Sequence, residues 1–246
     1  MASRTEYRGD SKSYRLGIVT PVWNAIAMTE QFVRQLKRDR AEFATAIIFD
    51  NGSEPENVAR LYAATETVAH VRETPDLNIH EMWNLGIEFC ENAKCDVVAV
   101  LNNDIVWQPR ALTRSATGLL ERNGDLLLWD RVKPRMGSGG NIKPVFPNVR
   151  RGGPPGWGMF IRAGRGWRFD ERYNFYGGDI DFNLTVAQAG GSIYRWFNPP
   201  AMHLEHKSAD TSDRYRELIR KARTEDRDLW NQKWGMDPKW DREEPV

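Results

Sequence analysis

The sequence predicts an α/β protein: a single domain with a mostly parallel central sheet and flanking helices, a long basic Gly/Pro-rich loop and a C-terminal helix. Three observations lead there. Short apolar runs alternate with stretches of helical spacing from Leu16 to Trp129, the pattern of strands joined by right-handed crossovers. The run Val97-Val98-Ala99-Val100-Leu101 is short and rich in valine, so it reads as a strand covered on both faces. Polar residues recur where the strands end, on the carboxyl edge where open α/β sheets bind their ligands.

Element by element, Leu16–Thr20 is the first strand and Thr20-Pro21-Val22-Trp23-Asn24 the turn after it. Ala27–Arg38 has helical spacing. Ala44–Phe49 is a second strand ending at Asp50-Asn51-Gly52-Ser53, and Glu56–Ala64 a second helix. Val68–Val71 is a short third strand, followed by a helix near Ile79–Asn92. Val97–Leu101 is the fourth strand, and a helix starts after Pro109, a residue suited to a first turn. Leu126–Trp129 closes the series.

From Arg131 to Arg168 the chain is dense in Gly and Pro, with nine Arg or Lys and no Asp or Glu. Such a stretch reads as a long functional loop rather than a packed element. Regular structure resumes with Phe169-Asp170-Glu171, a helix near Asp179–Ala189 and a strand near Ser192–Phe197. A charged helix, Ser212–Trp234, then carries Tyr215, Leu218, Ile219, Leu229 and Trp230 as its apolar stripe.

The 246 residues, 40% hydrophobic, suit one large domain, and the formal charge of +1 conceals the basic run. Cys90 and Cys95 have no His or Cys cluster beside them, which points to reduced structural thiols and a cytoplasmic protein. The polar N-terminus lacks the apolar segment of a signal peptide. No apolar run approaches the roughly 20 residues that span a bilayer, so no transmembrane segment is expected.

The chemistry-bearing residues gather at predicted strand ends: Thr20 and Asn24, Asp50 and Asn51, Asn78 and Asn84, then Asn102-Asn103-Asp104, and their repetition there points to a nucleotide-sugar pocket lined by these residues with Pro21, beside Asp104. Asp50 can accept hydrogen bonds from a base or ribose, or can simply make a turn. Asp104, a lone carboxylate flanked by amides, suits a hard cation carrying a phosphorylated ligand. It would need a second protein ligand, for which His203 and His206 are the candidates; the plainer reading is a helix-entry turn capped by Asp104. In Gly177-Gly178-Asp179-Ile180-Asp181 the two carboxylates sit two apart at a helix start and point to different faces. One can face a pocket while the other holds structure, and a carboxylate there stays ionised as a general base requires. Both can equally be complements to a helix dipole.

Thr20-Pro21-Val22-Trp23-Asn24, Phe49-Asp50-Asn51-Gly52-Ser53, Asn84-Leu85-Gly86, Leu101-Asn102-Asn103-Asp104, Phe169-Asp170-Glu171 and Gly178-Asp179-Ile180-Asp181 occur in the order seen in family 2 glycosyltransferases. The chain resembles that family, and most of all its rhamnosyltransferase-like branch, over residues 14 to 235. The resemblance implies a GT-A fold and an inverting transfer from a UDP- or dTDP-sugar to an acceptor hydroxyl, assisted by Mn²⁺ or Mg²⁺. By the same resemblance Thr20, Pro21, Asn24 and Asp50 take the nucleotide, and Asn102-Asn103-Asp104 stands at the metal motif. Asp179 is the base, and Gly156-Trp157-Gly158-Met159 forms the acceptor side, to which Asp181 is also assigned. His206 completes the metal site. Two residues depart from the family pattern. Gly178 replaces the usual Glu before the base, and the metal motif has lost its first carboxylate.

The chain would then comprise a poorly ordered 1–13, a nucleotide-sugar half 14–130, an acceptor-side half 131–211, and the terminal helix and tail 212–246. The acceptor is left open among a glycan, a lipid-linked glycan, a protein and a modified nucleic acid, as is the oligomeric state. The basic run has three readings: a solvated loop, a lid on the donor diphosphate, or a track for a polyanionic acceptor such as the DNA a bacteriophage enzyme would decorate. Two rivals remain. A nucleotidyltransferase would carry a Gly-rich phosphate loop with Lys or Arg where this chain has Pro-Val-Trp-Asn. An inactive sugar- or nucleic-acid-binding module could share the fold.

Overall fold

Strand β1 (Leu16–Val22) sends alternate side chains to opposite faces of a sheet, and both faces are buried, as its apolar run requires. The structure, a computed structural model, describes residues 14–130, 136–137, 139–147, 156–204 and 213–235. The expectation for residues 1–13 falls outside these, as do those for His206 and for Arg131, Lys133, Arg135, Arg150 and Arg151 of the basic run.

After β1 come α1 (Ile26–Arg38), β2 (Thr45–Asp50), α2 (Pro55–Thr65), β3 (His70–Glu73), α3 (Ile79–Asn92) and β4 (Val97–Leu101). Next are β5 (Ile105–Trp107), α4 (Ala111–Glu121), β6 (Leu126–Trp129), β7 (Ile142–Val145) and β8 (Gly158–Arg162). The last are α5 (Gly178–Gln188), β9 (Ile193–Trp196), β10 (Ala201–His203) and α6 (Asp213–Trp234). Among the described residues the main sheet has the order β3-β2-β1-β4-β8-β6-β9-β7, and β5 pairs with β10 in a separate ribbon. Strands β1 to β4, β6 and β9 run one way; β8 and β7 run against them.

Period-two alternation sorts the core into two layers. Leu16, Ile18, Val97, Ala99 and Leu101 pack under α1, α2 and α4 through Phe32, Leu36, Leu61 and Leu112. Val19, Val98 and Val100 face the other way, against Met82, Trp83 and Ile87 of α3 and Phe182 and Val186 of α5. Helix α3 lies close enough that a Cβ on Gly86 would come within 2.2 Å of Val19 Cγ1, so only glycine permits the approach. Cys90 and Cys95 are buried free thiols on the same face. Among the described residues no helix is long and apolar enough to cross a membrane.

The structure corrects the reading of 131–168 as one loop. Met159, Phe160 and Ile161 form a buried strand in the middle of the sheet, between β4 and β6, and Ile142–Val145 forms the far edge. The Gly and Pro density around these segments hides them, and a five-residue strand gives little periodicity to detect. Because β8 is antiparallel to β4, its end pairs Arg162 with Val97, at the amino end of β4. There Arg168 pairs with Glu91 at 2.5 Å, Arg165 with Asp125 at 3.5 Å, and Arg162 donates to Asn123 at 2.8 Å. These three cations therefore turn away from the carboxyl edge, so a lid role does not extend to them. The third strand also begins later than its valines suggest, because Val68 is spent in the turn that ends α2, its N–H donating to Thr65.

Candidate functional site

At the carboxyl ends of β1 and β2 two turns are tied to each other. Asn24 and Ala25 both have left-handed backbone (φ 47° and 43°), which non-glycine residues adopt at a cost and which makes the exit from β1 abrupt. Asn24 N–H donates to Ser53 Oγ at 2.6 Å, and its Oδ1 accepts from Glu54 N–H and Asn57 Nδ2. Asp50, the last residue of β2, accepts from Ser53 N–H at 3.1 Å through Oδ2. Its other oxygen, Oδ1, is buried with no hydrogen-bond partner among the described residues, and so is Thr20 Oγ1 on β1. With Val22 opposite Asp50 and Thr20 opposite Ile48, alternation puts both residues on one face of adjacent strands. Pro21 lies between Thr20 and Val22 in β1. Asn51, oriented to donate, reaches the carbonyls of Thr74 and Leu77 at 2.9 and 3.1 Å.

Asp104 follows β4 and is almost fully buried. The ribbon of β5 and β10 pairs Ile105 with His203, and Leu204 N–H donates to the Asp104 carbonyl at 2.9 Å. This pairing brings His203 Nε2 to 3.0 Å from Asp104 Oδ1. The His203 ring stacks on Trp157, centroids 5.3 Å apart and planes 9° from parallel. Trp157 also packs on Trp129, and its buried indole N–H has no partner among the described residues. Asn102 N–H donates to the Trp157 carbonyl at 3.2 Å, and Asn103 Nδ2 donates to Thr29 Oγ1 at 3.0 Å, fixing the turn that bears Asp104 to α1.

The segment that carries Trp157 also reaches Asp179. Gly156 N–H donates to Asp179 Oδ2 at 2.7 Å, and a Cβ at Gly156 would lie 2.5 Å from Asp179 Cβ. At Gly158 a Cβ would meet the Trp129 ring at 2.8 Å. Thus Gly156-Trp157-Gly158, expected on the acceptor side, bridges the Asp104–His203 pair and Asp179 in one continuous run of contacts. Asp179 Oδ1 accepts from Ile180 N–H at 2.8 Å. Burial pushes the Asp179 carboxyl up from its ordinary range, against the pull of the Gly156 and Ile180 N–H groups. A base raised in this way binds a proton more strongly than an ordinary carboxylate.

Asp181 points elsewhere. It is buried, and it accepts from Tyr173 Oη at 3.2 Å, Trp234 Nε1 at 2.8 Å and Lys233 Nζ at 2.8 Å. Its oxygens thus hold α6 against α5. Asn78 caps α3 in a reciprocal box with Glu81, and its Nδ2 donates to the Glu171 carbonyl. Asn84 is engaged on both sides of its amide, by Phe169 N–H, the Phe169 carbonyl and Glu171 Oε1. It lines a cleft of about 530 Å³ together with Arg168, Asp170 and Arg172. The structure therefore brings Thr20 with Asp50, and Asp104 with His203, Trp157 and Asp179. Asn78, Asn84 and Asp181 bond to the scaffold around them.

Two buried residues of this region are absent from the sequence-based candidates. His80 sits under Gly178, where a Cβ would come within 2.1 Å of its Nε2, and its Nδ1 lies 2.9 Å from the Tyr173 carbonyl. Burial holds the imidazole down at about 4, neutral at physiological pH. Gly178 is thus a packing requirement of His80. Asp226 of α6 is fully buried, and the signal for it was its spacing: Ala222, Asp226 and Trp230 recur every four residues on one buried face.

Among the described residues no three His, Cys, Asp or Glu converge as a ready-made metal cage. The facing carboxylate and imidazole of Asp104 and His203 do fit a divalent cation that takes its remaining ligands from a diphosphate and water.

The family model described as Glycosyl transferase family 2 matches residues 17–174. A search of curated proteins returns no match. Among solved structures, the chain is similar to glucosyl-3-phosphoglycerate synthase from Mycobacterium tuberculosis in complex with Mn²⁺, UDP and glucosyl-3-phosphoglycerate. The TM-score is 0.64 at 15% identity, covering 92% of this chain and 82% of that one. The same enzyme with Mg²⁺ and UDP gives a TM-score of 0.63 at 14% identity, with coverage of 92% and 82%. The S. aureus protein TarS, residues 1–349, gives 0.54 at 13% identity, covering 86% of this chain and 65% of that one. At these identities the likeness is one of fold.

Proposed function

The chain belongs to glycosyl transferase family 2, and from that premise we propose that it moves a sugar from a uridine or thymidine diphosphate sugar to an acceptor hydroxyl with inversion. The observation that carries the reading is the pair of buried, unpartnered oxygens, Thr20 Oγ1 and Asp50 Oδ1, at the carboxyl edge of the sheet. A buried acceptor left unmade costs about 1–3 kcal/mol, which a donor group of a bound ligand would recover. Asp50 accepts from the N–H of a pyrimidine base, and Thr20 supports it from the neighbouring strand. The structural relatives solved with UDP bear on the same choice of ligand.

Asp104 and His203 would hold Mn²⁺ or Mg²⁺, which when bound neutralises negative charge on the nucleoside diphosphate. Asp179 takes the proton of the acceptor hydroxyl as that oxygen bonds to the anomeric carbon. The bond from that carbon to the diphosphate oxygen breaks on the opposite side, and the nucleoside diphosphate leaves with the electron pair. Gly156 N–H holds one oxygen of Asp179 and so fixes the direction in which the base faces. Trp157 walls the space between the base and the Asp104–His203 pair.

The test is a donor screen. Purified protein with Mn²⁺ or Mg²⁺ is incubated with each common nucleotide sugar, and released nucleoside diphosphate is measured. Slow metal-dependent release from one donor, lost in Asp104→Ala and Asp179→Asn, is the expected result. Nucleotide binding without release in any condition would make the chain a binding module, and no binding at all would overturn the nucleotide pocket.

A further inference from the structure

The six residues Tyr173 to Gly178 lead directly into Asp179, and every stretch of them is pinned from outside. The Tyr173 carbonyl faces His80 Nδ1 at 2.9 Å, and its hydroxyl meets Asp181. Gly178 lies on the His80 ring. Between these ends, the backbone N–H groups of Asn174, Phe175 and Tyr176 all bond to one side chain from another element. Beside it, Glu225 takes Asn174 Nδ2 at 3.2 Å, and Arg223 lies over the Tyr176 ring. Asp226 of α6 accepts from Asn174 N–H at 2.7 Å through Oδ1, and from Phe175 N–H at 2.8 Å and Tyr176 N–H at 2.6 Å through Oδ2. Asn174 Nδ2 adds a longer bond of 3.3 Å to Oδ1.

We propose that Asp226 is a positioning residue, whose carboxylate fixes Asn174–Tyr176 and through that segment sets the placement of Asp179 against the acceptor. This rests on the reading of Asp179 as the base.

Docking of α6 alone does not account for a carboxylate here. The helix already packs through Trp230 against Tyr173 and Leu184, with Leu229 and Trp234 beside them, and is tied again by Lys233 and Trp234 to Asp181. A buried carboxylate with no countercharge bonded to it among the described residues is an expensive way to add to that, and burial pushes the Asp226 carboxyl upward despite three N–H donors. What a carboxylate provides that an apolar side chain cannot is three successive backbone N–H groups aimed at one point. That holds the backbone of a segment that makes no regular structure. Phe175, 44% exposed, and Tyr176 thereby stand edge to face at 5.1 Å on a fixed backbone beside the base. Misplacing a reacting group by about 1 Å can cost on the order of 100-fold in rate.

The experiment compares Asp226→Asn, which puts an amide N–H against backbone N–H groups, with Trp230→Phe. The latter loosens α6 without touching Asn174–Tyr176, and the Trp230 indole N–H has no hydrogen-bond partner among the described residues to lose. Two readouts are taken on the full chain with Mn²⁺: hydrogen exchange of the amides of residues 174–176, and steady-state cleavage of the nucleotide sugars of the donor screen. For Asp226→Asn the three amides exchange faster and kcat falls about 10- to 100-fold while KM for the donor is unchanged. For Trp230→Phe both readouts stay near wild type even though the melting temperature falls. Equal kcat in Asp226→Asn and wild type, or equal loss in both variants, overturns the positioning role alone. A wild type silent toward every donor overturns the transferase reading with it.

Discussion

At the ends of β1 and β2, Thr20 and Asp50 each keep a buried oxygen without a partner among the described residues, whereas the buried carboxylates of Asp181 and Asp226 meet donors at both oxygens. All four lie in the same domain, so burial alone does not separate them. The hydrogen-bond partners of their oxygens do, although Asp179, bonded at both oxygens by backbone N–H groups, shows that the contrast applies to these four only. A saturated carboxylate joins elements, here α6 to α5 and to the segment before it. One with a spare oxygen carries a desolvation cost that a ligand can remove.

Substitutions can break or sharpen this contrast. The largest effect is expected at the base: Asp179→Asn lowers kcat about 10²- to 10⁴-fold with nucleotide affinity unchanged in calorimetry. Next is Asp181→Ala, which leaves the Tyr173 hydroxyl and the Trp234 indole N–H without this acceptor and Lys233 with Asp170 alone. Urea unfolding should show a loss of about 1–3 kcal/mol, again with nucleotide affinity unchanged. Asp50→Ala should do the reverse, weakening UDP or dTDP about 10- to 100-fold while costing less than about 1 kcal/mol of stability. If Asp50→Ala and Asp181→Ala cost the same stability, the distinction drawn from their lone pairs is wrong.

The smallest effect is a pH dependence. His80 is held at about 4, below the unfolded histidine value of about 6.5. Between these values the unfolded chain takes up a proton that the folded chain refuses, so stability is full above about pH 6.5 and falls as the pH drops towards 4. About 1 kcal/mol should be gone by about pH 5.5, and His80→Gln should flatten that part of the curve. An equally steep fall in His80→Gln would assign the effect elsewhere.

The parallel half was legible because β1, β2 and β4 are apolar runs ended by polar residues, and burial on both faces demands such runs. Strand β8 was not, because Gly158-Met159-Phe160-Ile161-Arg162 is short and set among glycines and prolines. What makes it a strand is the gap between β4 and β6, which no local signal announces. The three-residue ribbon of β5 and β10 escaped for the same reason, although it is what brings His203 to Asp104. The places of Asp50 and Asp104 at or just past strand ends and of Asp179 at a helix start could be read because such ends limit where polar groups stand. The scaffolding duties of Asn84 and Asp181 could not, since each depends on partners far along the chain: Phe169 for Asn84, Lys233 and Trp234 for Asp181. That of Asn78 was open to reading, because its capping partner Glu81 stands three residues on.

The place of β8 has a consequence for how the protein is made. Strands β4 and β6 are not neighbours, and each waits for a partner from residues 158–162. A nascent chain emerging from its N-terminus can assemble β3-β2-β1-β4 early. It then carries an open, apolar β4 edge through the synthesis of some sixty further residues, counted from Leu101 to Arg162. Joining the two halves is a late, long-range event that fills a slot rather than extending a border. Such slots are where folding is slow and where strands of other chains can enter.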